Sequence, residues 1–528
     1  MRMANTKSFA AAALSVVLAL VLLAGCGTNA GNNGGETGNA AKTGDGSAGA
    51  STGKKPVELS MFIDFPWYPV KEWKGPIADM ITEKTGVKLN ITVSTDDNQL
   101  PVMIASGNLP DLIFTANQVD RLSNSNLSYP WDDLINKYAP DFKIDPTRKL
   151  VNSAPDGKFY TVRNAFATQE EWNANPFALG NDGNPGVAVR TDILKALGNP
   201  QIKTVDDFVN VLEKVKAKYP DMVPLIMDPN WMEQYFKAQF GVDVGGTELY
   251  EGDDNKLHMF ITHPKMLEYY KFMNSLYRKG LIIGENFAFS NDQIDDDYAN
   301  SGKAFAHMHT VSIADTDNLA AKKSGKPYTW QMLPTALSPD AVLVNDGIGF
   351  AGTFITKSNK HPEESIKFLQ YLASDEGKKL VMWGVEGKQW HMDPKGYPVF
   401  NYNPNDGDYV NSQGLKWYYF YSDAIAEGLR AYVPGTQTTE ALLETKKITK
   451  IRPVLGLIHA PADSEEQTIK TKIDDLVKNQ RAKIILAKTE QEAVQAYQDM
   501  INTAQQYGMG KYEQWATEQY AQKKDLMK

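Results

Sequence analysis

Few residues of this 528-residue chain carry reactive chemistry, and their spacing narrows it further. Cys26 is the only cysteine, so the chain can form no internal disulfide and has no Cys-x-x-Cys pair for metal or redox work. His307 and His309, with Met308 between them, would share one side of a strand and could ligate a metal, although an isolated His-x-His is more often incidental. Asp295-Asp296-Asp297 reads as a solvated acidic turn. Asn181-Asp182-Gly183-Asn184 is too short to supply the oxygen cage of a calcium site. Gly347-Ile348-Gly349-Phe350-Ala351-Gly352 spells the dinucleotide fingerprint after an apolar run. That site needs a helix to open at the last glycine, whereas Thr353–Thr356 reads as strand, so the hexapeptide is expected to be a flexible connection. His-Glu-x-x-His does not occur, and Gly49-Ala50-Ser51-Thr52-Gly53 matches Gly-x-Ser-x-Gly only inside a Gly-rich stretch with no strand before it. The expectation is a protein that is not an enzyme and has no catalytic residue, cofactor or metal.

The elements that would position these residues begin after an atypical start. Met1–Lys7 carries Arg2 and Lys7 and no acid, Phe9–Leu23 is nearly all apolar, and Leu23-Ala24-Gly25-Cys26 closes the run. This is the form of an export signal, too short to span a membrane as a helix. Gly27–Lys55 has no Leu, Ile, Val or aromatic residue, cannot bury a core, and is expected to be a disordered tether reaching about 30 Å. From Val57 the texture changes. Val57, Leu59, Met61 and Ile63 alternate, Pro76 opens and Gly86 stops a helical pattern, and Val87, Leu89, Ile91 and Val93 alternate again. A short helix through Val102–Ala105 leads to a third strand in Leu109–Thr115. Strand, helix, strand, helix, strand predicts an α/β lobe with an open parallel sheet whose ligands sit beyond the carboxyl ends of the strands. Farther on, Thr191 and Thr204 are N-cap candidates, and Ile469, Ile473, Leu476 and Ile484 begin a C-terminal helical layer. A chain this long predicts two lobes. The net charge of −9 becomes two units more acidic without Arg2 and Lys7, which excludes nucleic acid as a natural partner.

Two resemblances sharpen these expectations. Leu23-Ala24-Gly25-Cys26 resembles the lipobox of bacterial lipoproteins, which implies a lipid on Cys26 and anchoring to the outer face of the cell membrane. Ala105-Ser106-Gly107-Asn108-Leu109-Pro110-Asp111 resembles an element of bacterial extracellular solute-binding proteins, the receptors of ABC importers. Asp156–Tyr160, Val189–Gly198, Thr204–Phe208, Gly302–Phe305, Ser374–Gly377 and Gly384–Lys388 follow the same family pattern in order. The match is best to the long lipoprotein receptors for oligosaccharides, the uronide- and alginate-type binders. Many of these carry an EF-hand-like loop in the second lobe, but Lys218–Pro224 runs through without it, which puts a structural calcium in doubt here.

The resemblance implies a two-lobed periplasmic-binding-protein-like α/β fold of type II. The expected layout is signal peptide 1–25, lipidated cysteine and tether 26–56, lobe 1 from 57–162 plus 350–421, and lobe 2 from 163–349 plus 422–528. Interlobe crossings are expected near Val162–Asn164, Gly347–Gly352 and Ser422–Leu429. The implied function is capture of an oligosaccharide for a membrane permease, by a monomer held at the membrane through its lipid. Sugar rings have apolar C–H faces that stack on aromatic rings, while amides and carboxylates take the hydroxyls. With ten Trp and 24 Tyr in the chain, the ligand-binding candidates are Trp67, Tyr68, Asn117, Trp231, Trp383, Trp390 and Trp417. The alternatives are a lipid-anchored polysaccharide hydrolase or lyase and a sugar sensor on the same fold. Hydrolysis would need two carboxylates facing across a cleft, and no motif places such a pair.

Overall fold

The computed structural model describes residues 55–524, apart from 97, 181–183, 230, 232, 290–292 and 462. Cys26, the leader, nearly all of the tether and most of the Asn181–Asn184 turn lie outside the described residues. The alternating run after Val57 forms β1 (Val57–Ile63). Pro76 opens the helix Pro76–Thr85, and Gly86 ends it in the left-handed conformation that Gly adopts without strain. Strands β2 (Val87–Val93) and β3 (Leu112–Thr115) follow, separated by the helix Gln99–Ser106. β1 lies between β2 and β3 and runs parallel to both, because a helix returns the chain between each pair.

The sheet is not wholly parallel as expected. Its fourth strand, Gly352–Ile355, pairs antiparallel to β3, with Gly352 opposite Thr115. The chain re-enters lobe 1 at the carboxyl end of β3, so the new strand has to run the other way. Lobe 2 repeats the arrangement. Val223–Met227 and Ala304–Thr310 are parallel, while Pro185–Arg190 enters beside Thr310 and runs antiparallel between Ala304–Thr310 and Trp330–Met332. Thr204 caps the helix Val205–Lys218 in a reciprocal box with Asp207. Thr191 is not a cap: Arg190 holds that position, and the Thr191 hydroxyl bonds to Thr329.

The C-terminal helical layer is built of Glu465–Ile485, Glu490–Gln506 and Met509–Lys523. Ile469, Ile473, Tyr497, Met500 and Tyr512 from these helices share one core with Tyr269, Met273 and the lobe 2 strands. Polar anchors complete the contact, with Asn274 donating to the carbonyls of Ile485 (3.0 Å) and Ala487 (2.8 Å) and Tyr497 donating to Ile261 (2.6 Å). Among the described residues, no helix is long and apolar enough to cross a membrane.

Where the chain passes between lobes, the first two connections lie side by side. Arg163 bridges Gly352, and Asn164 exchanges backbone hydrogen bonds with Phe350 and Ala351. The approach is so close that a Cβ on Gly352 would stand 2.2 Å from the Thr161 hydroxyl, and one on Gly349 2.5 Å from the Asn164 carbonyl. The glycines of this hexapeptide therefore serve close strand passage, and the segment opens a strand rather than a nucleotide-binding helix. The helix Ala424–Ala431, assigned from sequence to lobe 2, packs into lobe 1: Ala426 and Leu429 share its core, and Trp383 Nε1 donates to the Ala426 carbonyl at 2.9 Å. Ala178 joins the same core, and Phe177 packs on Tyr397 and Tyr432. The amphipathic face of Ala424–Ala431 found its apolar partner on the lobe 1 side.

Candidate functional site

The carboxyl ends of β1 and β3 meet at one level because Ile63 is in register with Phe114. This places Asp64, 3% exposed, beside Thr115 and Asn117, and its Oδ2 accepts from Thr115 Oγ1 (2.8 Å) and Asn117 Nδ2 (3.2 Å). Asn117 itself is exposed at this edge. The chain then turns through Phe65, which is buried against Phe114, and presents Trp67 with 46% of its surface exposed. Trp67 lies 5.2 Å from the Phe65 ring and 6.2 Å from Trp417, centroid to centroid. Phe65 in turn stacks on Phe350 at 5.2 Å and 27°. Phe350 is 39% exposed, so Trp417, Trp67, Phe65 and Phe350 form one strip of rings with its two large exposed members either side of Phe65.

Tyr68 supports this strip from beneath. It is 1% exposed, its hydroxyl donates to the Trp417 carbonyl, and its ring meets Trp417 edge-on at 5.4 Å. Burial holds the phenol well above its usual range, so it stays a neutral donor. Trp417 is half-buried and fixed by its Nε1 donating to Asn411 Oδ1 at 2.6 Å. The rest of the five-aromatic run, Tyr418–Tyr421, is buried.

Trp383 and Trp390 do not join the strip. Each is 2% exposed, and they pack edge to face at 4.9 Å in the lobe 1 core. Trp390 Nε1 donates to the Gly384 carbonyl at 2.8 Å, so both indole donors are consumed internally. The loop between them turns both rings inward, where large flat residues fill volume.

In lobe 2 the corresponding strand ends carry Trp231 and the His-x-His pair. The Trp231 backbone donates to Asp228 Oδ1 at 2.9 Å, and the Asp228 backbone donates to Met308 at 2.9 Å, which fixes the turn after Val223–Met227. Trp231 is half-buried. It belongs to the opposite lobe from the aromatic strip.

Asp228, Asp295 and His309 bring ligand atoms within 4.8 Å of one another, as do Asp295, Asp296 and His307. His307 is fully buried, with Nδ1 3.0 Å from Asp317 and Nε2 2.8 Å from Asp295, so as an imidazolium it donates from both nitrogens. Burial opposes its charge, but Asp317 and Asp295 outweigh that and push its pKa up to about 10. His309 Nδ1 accepts from the Thr310 backbone at 2.8 Å, which leaves the ring proton on Nε2 facing Asp228. Burial, with the charge of His307, lowers His309 to about 4, so it is a neutral donor at ordinary pH. Asp295 and Asp296 are not a solvated turn. They lie in the helix Gln293–Ser301, where Asp295 is wholly buried against His307 and burial first, then the neighbouring carboxylates, raise Asp296 to about 7.

Two members of the strip escape sequence reasoning. Phe65 is masked by the more conspicuous Trp67 and Tyr68, and Phe350 by lying inside a glycine motif whose glycines draw the attention. A large apolar residue in a connection that must pass between lobes is the signal that was available.

Similarity to known proteins agrees with this architecture. The sequence profile of the bacterial extracellular solute-binding proteins matches residues 77–384, more than half of the chain. The fructooligosaccharide ABC transporter substrate-binding protein FusA of Streptococcus pneumoniae is 28% identical over 412 residues, 72% of each protein. Lipoprotein LipO of Bacillus subtilis is 22% identical over 457 residues, covering 79% of this chain and 84% of LipO. The structure of S. pneumoniae FusA in complex with kestose superposes with a TM-score of 0.67 at 20% identity, covering 89% of this chain and all of FusA, which shows a shared fold.

Proposed function

The chain belongs to the bacterial extracellular solute-binding proteins, and on that premise we propose that it captures an oligosaccharide outside the cell and hands it to the permease of an ABC importer. The observation that carries this reading is the strip of Trp417, Trp67, Phe65 and Phe350 at the carboxyl ends of the lobe 1 strands. Flat, partly exposed rings beside the amide of Asn117 suit ligands that have apolar faces and hydroxyl edges. Trp231 and the neutral Nε2–H of His309 would approach the same sugar from lobe 2 when the lobes close, and the closed form would dock on the permease. The packing supports boundaries in which lobe 1 keeps the helix Ala424–Ala431 and lobe 2 begins after Ala178. Capture requires no bond to be made or broken. The protein acts as a monomer, with Cys26 carrying the lipid that holds it at the outer face of the membrane; the similarity to a named lipoprotein supports this part.

The test is calorimetry and thermal shift of the purified chain against kestose, maltotriose, cellotriose, mannotriose and an alginate trisaccharide. A saturable heat with a raised melting temperature is expected for at least one. Absence of binding across the panel, or the appearance of new reducing ends or unsaturated sugars, would overturn the reading.

A further inference from the structure

Phe350 occupies two systems at once. Its ring is 39% exposed and stacks on Phe65 at 5.2 Å, which makes it the end of the aromatic strip. Its backbone belongs to the second interlobe connection. The Phe350 N–H donates to the Asn164 carbonyl at 3.0 Å, the Ala351 N–H donates to Asn164 Oδ1 at 3.0 Å, and the Asn164 N–H donates to the Ala351 carbonyl at 2.8 Å. Asn164 is wholly buried, and its Nδ2 also donates to the Tyr419 carbonyl at 3.1 Å. From Phe350 onward the connection is therefore bolted to lobe 1.

Immediately before Phe350 the chain changes character. Gly349 has φ +89° and Gly347 φ +65°, both in the left-handed region. Ile348 between them packs in a small cluster with Val151, Phe166 and Leu457, the last from the lobe 2 side. Upstream, Leu343–Asn345 pairs with Thr449–Ile451. The second connection thus has a fixed end at Phe350, a fixed end at Asn345, and two glycines with wide torsional freedom between them.

From this juxtaposition we infer that Phe350 couples ligand contact to lobe closure: a sugar seated on its ring bears on the residue at which the Gly347–Gly349 pivot is anchored. The inference rests on the proposed oligosaccharide reading and adds to it a residue with a role distinct from that of the other rings. Trp67 packs on Phe65 and Trp417 and reaches the second connection only through Phe65, so it contributes contact only. Phe350 contributes contact and sets the lobe angle, since a shift of its ring is transmitted to the torsions of Gly349 next door.

The test compares two rings of the same strip. The full chain with Cys26→Ser, Glu83→Cys in lobe 1 and Lys214→Cys in lobe 2 is spin-labelled, and the interlobe distance is measured with and without each trisaccharide of the panel above. In the otherwise unaltered background the distance shortens with whichever trisaccharide binds by calorimetry. Trp67→Ala should weaken that binding roughly thirtyfold yet reach the full shortening at saturation. Phe350→Ala should lose a similar factor in affinity but keep the ligand-free distance, or a broad spread, at saturation. Phe350→Leu, which retains bulk without a flat ring, should fold normally and show the same failure to close. Full closure of both Phe350 variants at saturation overturns the inference and leaves the receptor reading intact. Binding of no trisaccharide to the unaltered background removes the oligosaccharide reading, and this inference with it.

Discussion

Replacing Trp67 and Trp390 by Ala, one at a time, separates a ligand ring from a core ring of the same lobe. Trp390 is 2% exposed and its indole nitrogen donates to Gly384 at 2.8 Å. Truncation there should cost about 3–5 kcal/mol of stability, plus about 1 kcal/mol for the lost hydrogen bond. Trp67 keeps 46% of its surface in solvent, so only about half of that packing is at stake, roughly 2 kcal/mol. Affinity should run in the opposite order. As a half-exposed aromatic anchor, Trp67 should contribute about 2 kcal/mol to sugar binding, or roughly thirtyfold in Kd. Trp390→Ala should leave the Kd of the folded fraction unchanged. Urea titration and calorimetry on the same two preparations give both numbers, at a temperature where each variant is folded. Unaltered affinity in Trp67→Ala, or a weakened folded fraction in Trp390→Ala, would refute the assignment of the strip.

Other perturbations test the remaining parts of the argument. His307 has its pKa raised from 6.5 to about 10, so its contribution to stability is complete below about pH 6.5 and is lost as pH rises through 10. Wild-type stability by urea titration should therefore fall across that window; a decline of equal size in His307→Asn would refute the assignment to this ring. Gly349→Ala places a Cβ 2.5 Å from the Asn164 carbonyl at φ +89° and should cost several kcal/mol or abolish folding, and a melting temperature within a degree or so of wild type would show that the connections part easily. Cys26→Ser removes the thiol that would accept the acyl chain, worth about 0.8 kcal/mol per buried methylene. The mutant should be absent from the lipid-modified membrane fraction by mass spectrometry and fractionation; lipidated mature protein from it would sink the lipobox reading.

The local period of the sequence carries much of this protein. Alternation at Val57–Ile63 and Val87–Val93, the Pro76 start, the Gly86 stop and the Thr204 box are set by neighbours a few residues apart, and each is where the residues put it. The end of β1 as a place for exposed rings is legible for the same reason: a chain leaving a parallel sheet must turn there, and Trp67 lies in that turn. What residue type alone does not carry is the direction a side chain faces once distant segments meet. Trp383 and Trp390 have the same chemistry as Trp67, but their loop folds back on the helix Ala424–Ala431, and long-range packing buries them. The same contact moved that helix to lobe 1, since its apolar face has no preference for either lobe until one supplies a complementary surface. Asp295 and Asp296 read as a solvated turn because the carboxylates are contiguous; only the approach of the strand bearing His307 turns Asp295 into a buried ion-pair partner. Phe350 shows the limit most plainly. In sequence it is one residue in a glycine motif, and its place beside Phe65 exists only because two connections separated by nearly two hundred residues run within hydrogen-bonding distance. Sequence spacing sets the elements and the order in which they come. Which rings share a surface is decided by the burial of apolar area across the whole chain, a non-local quantity that no window of residues contains.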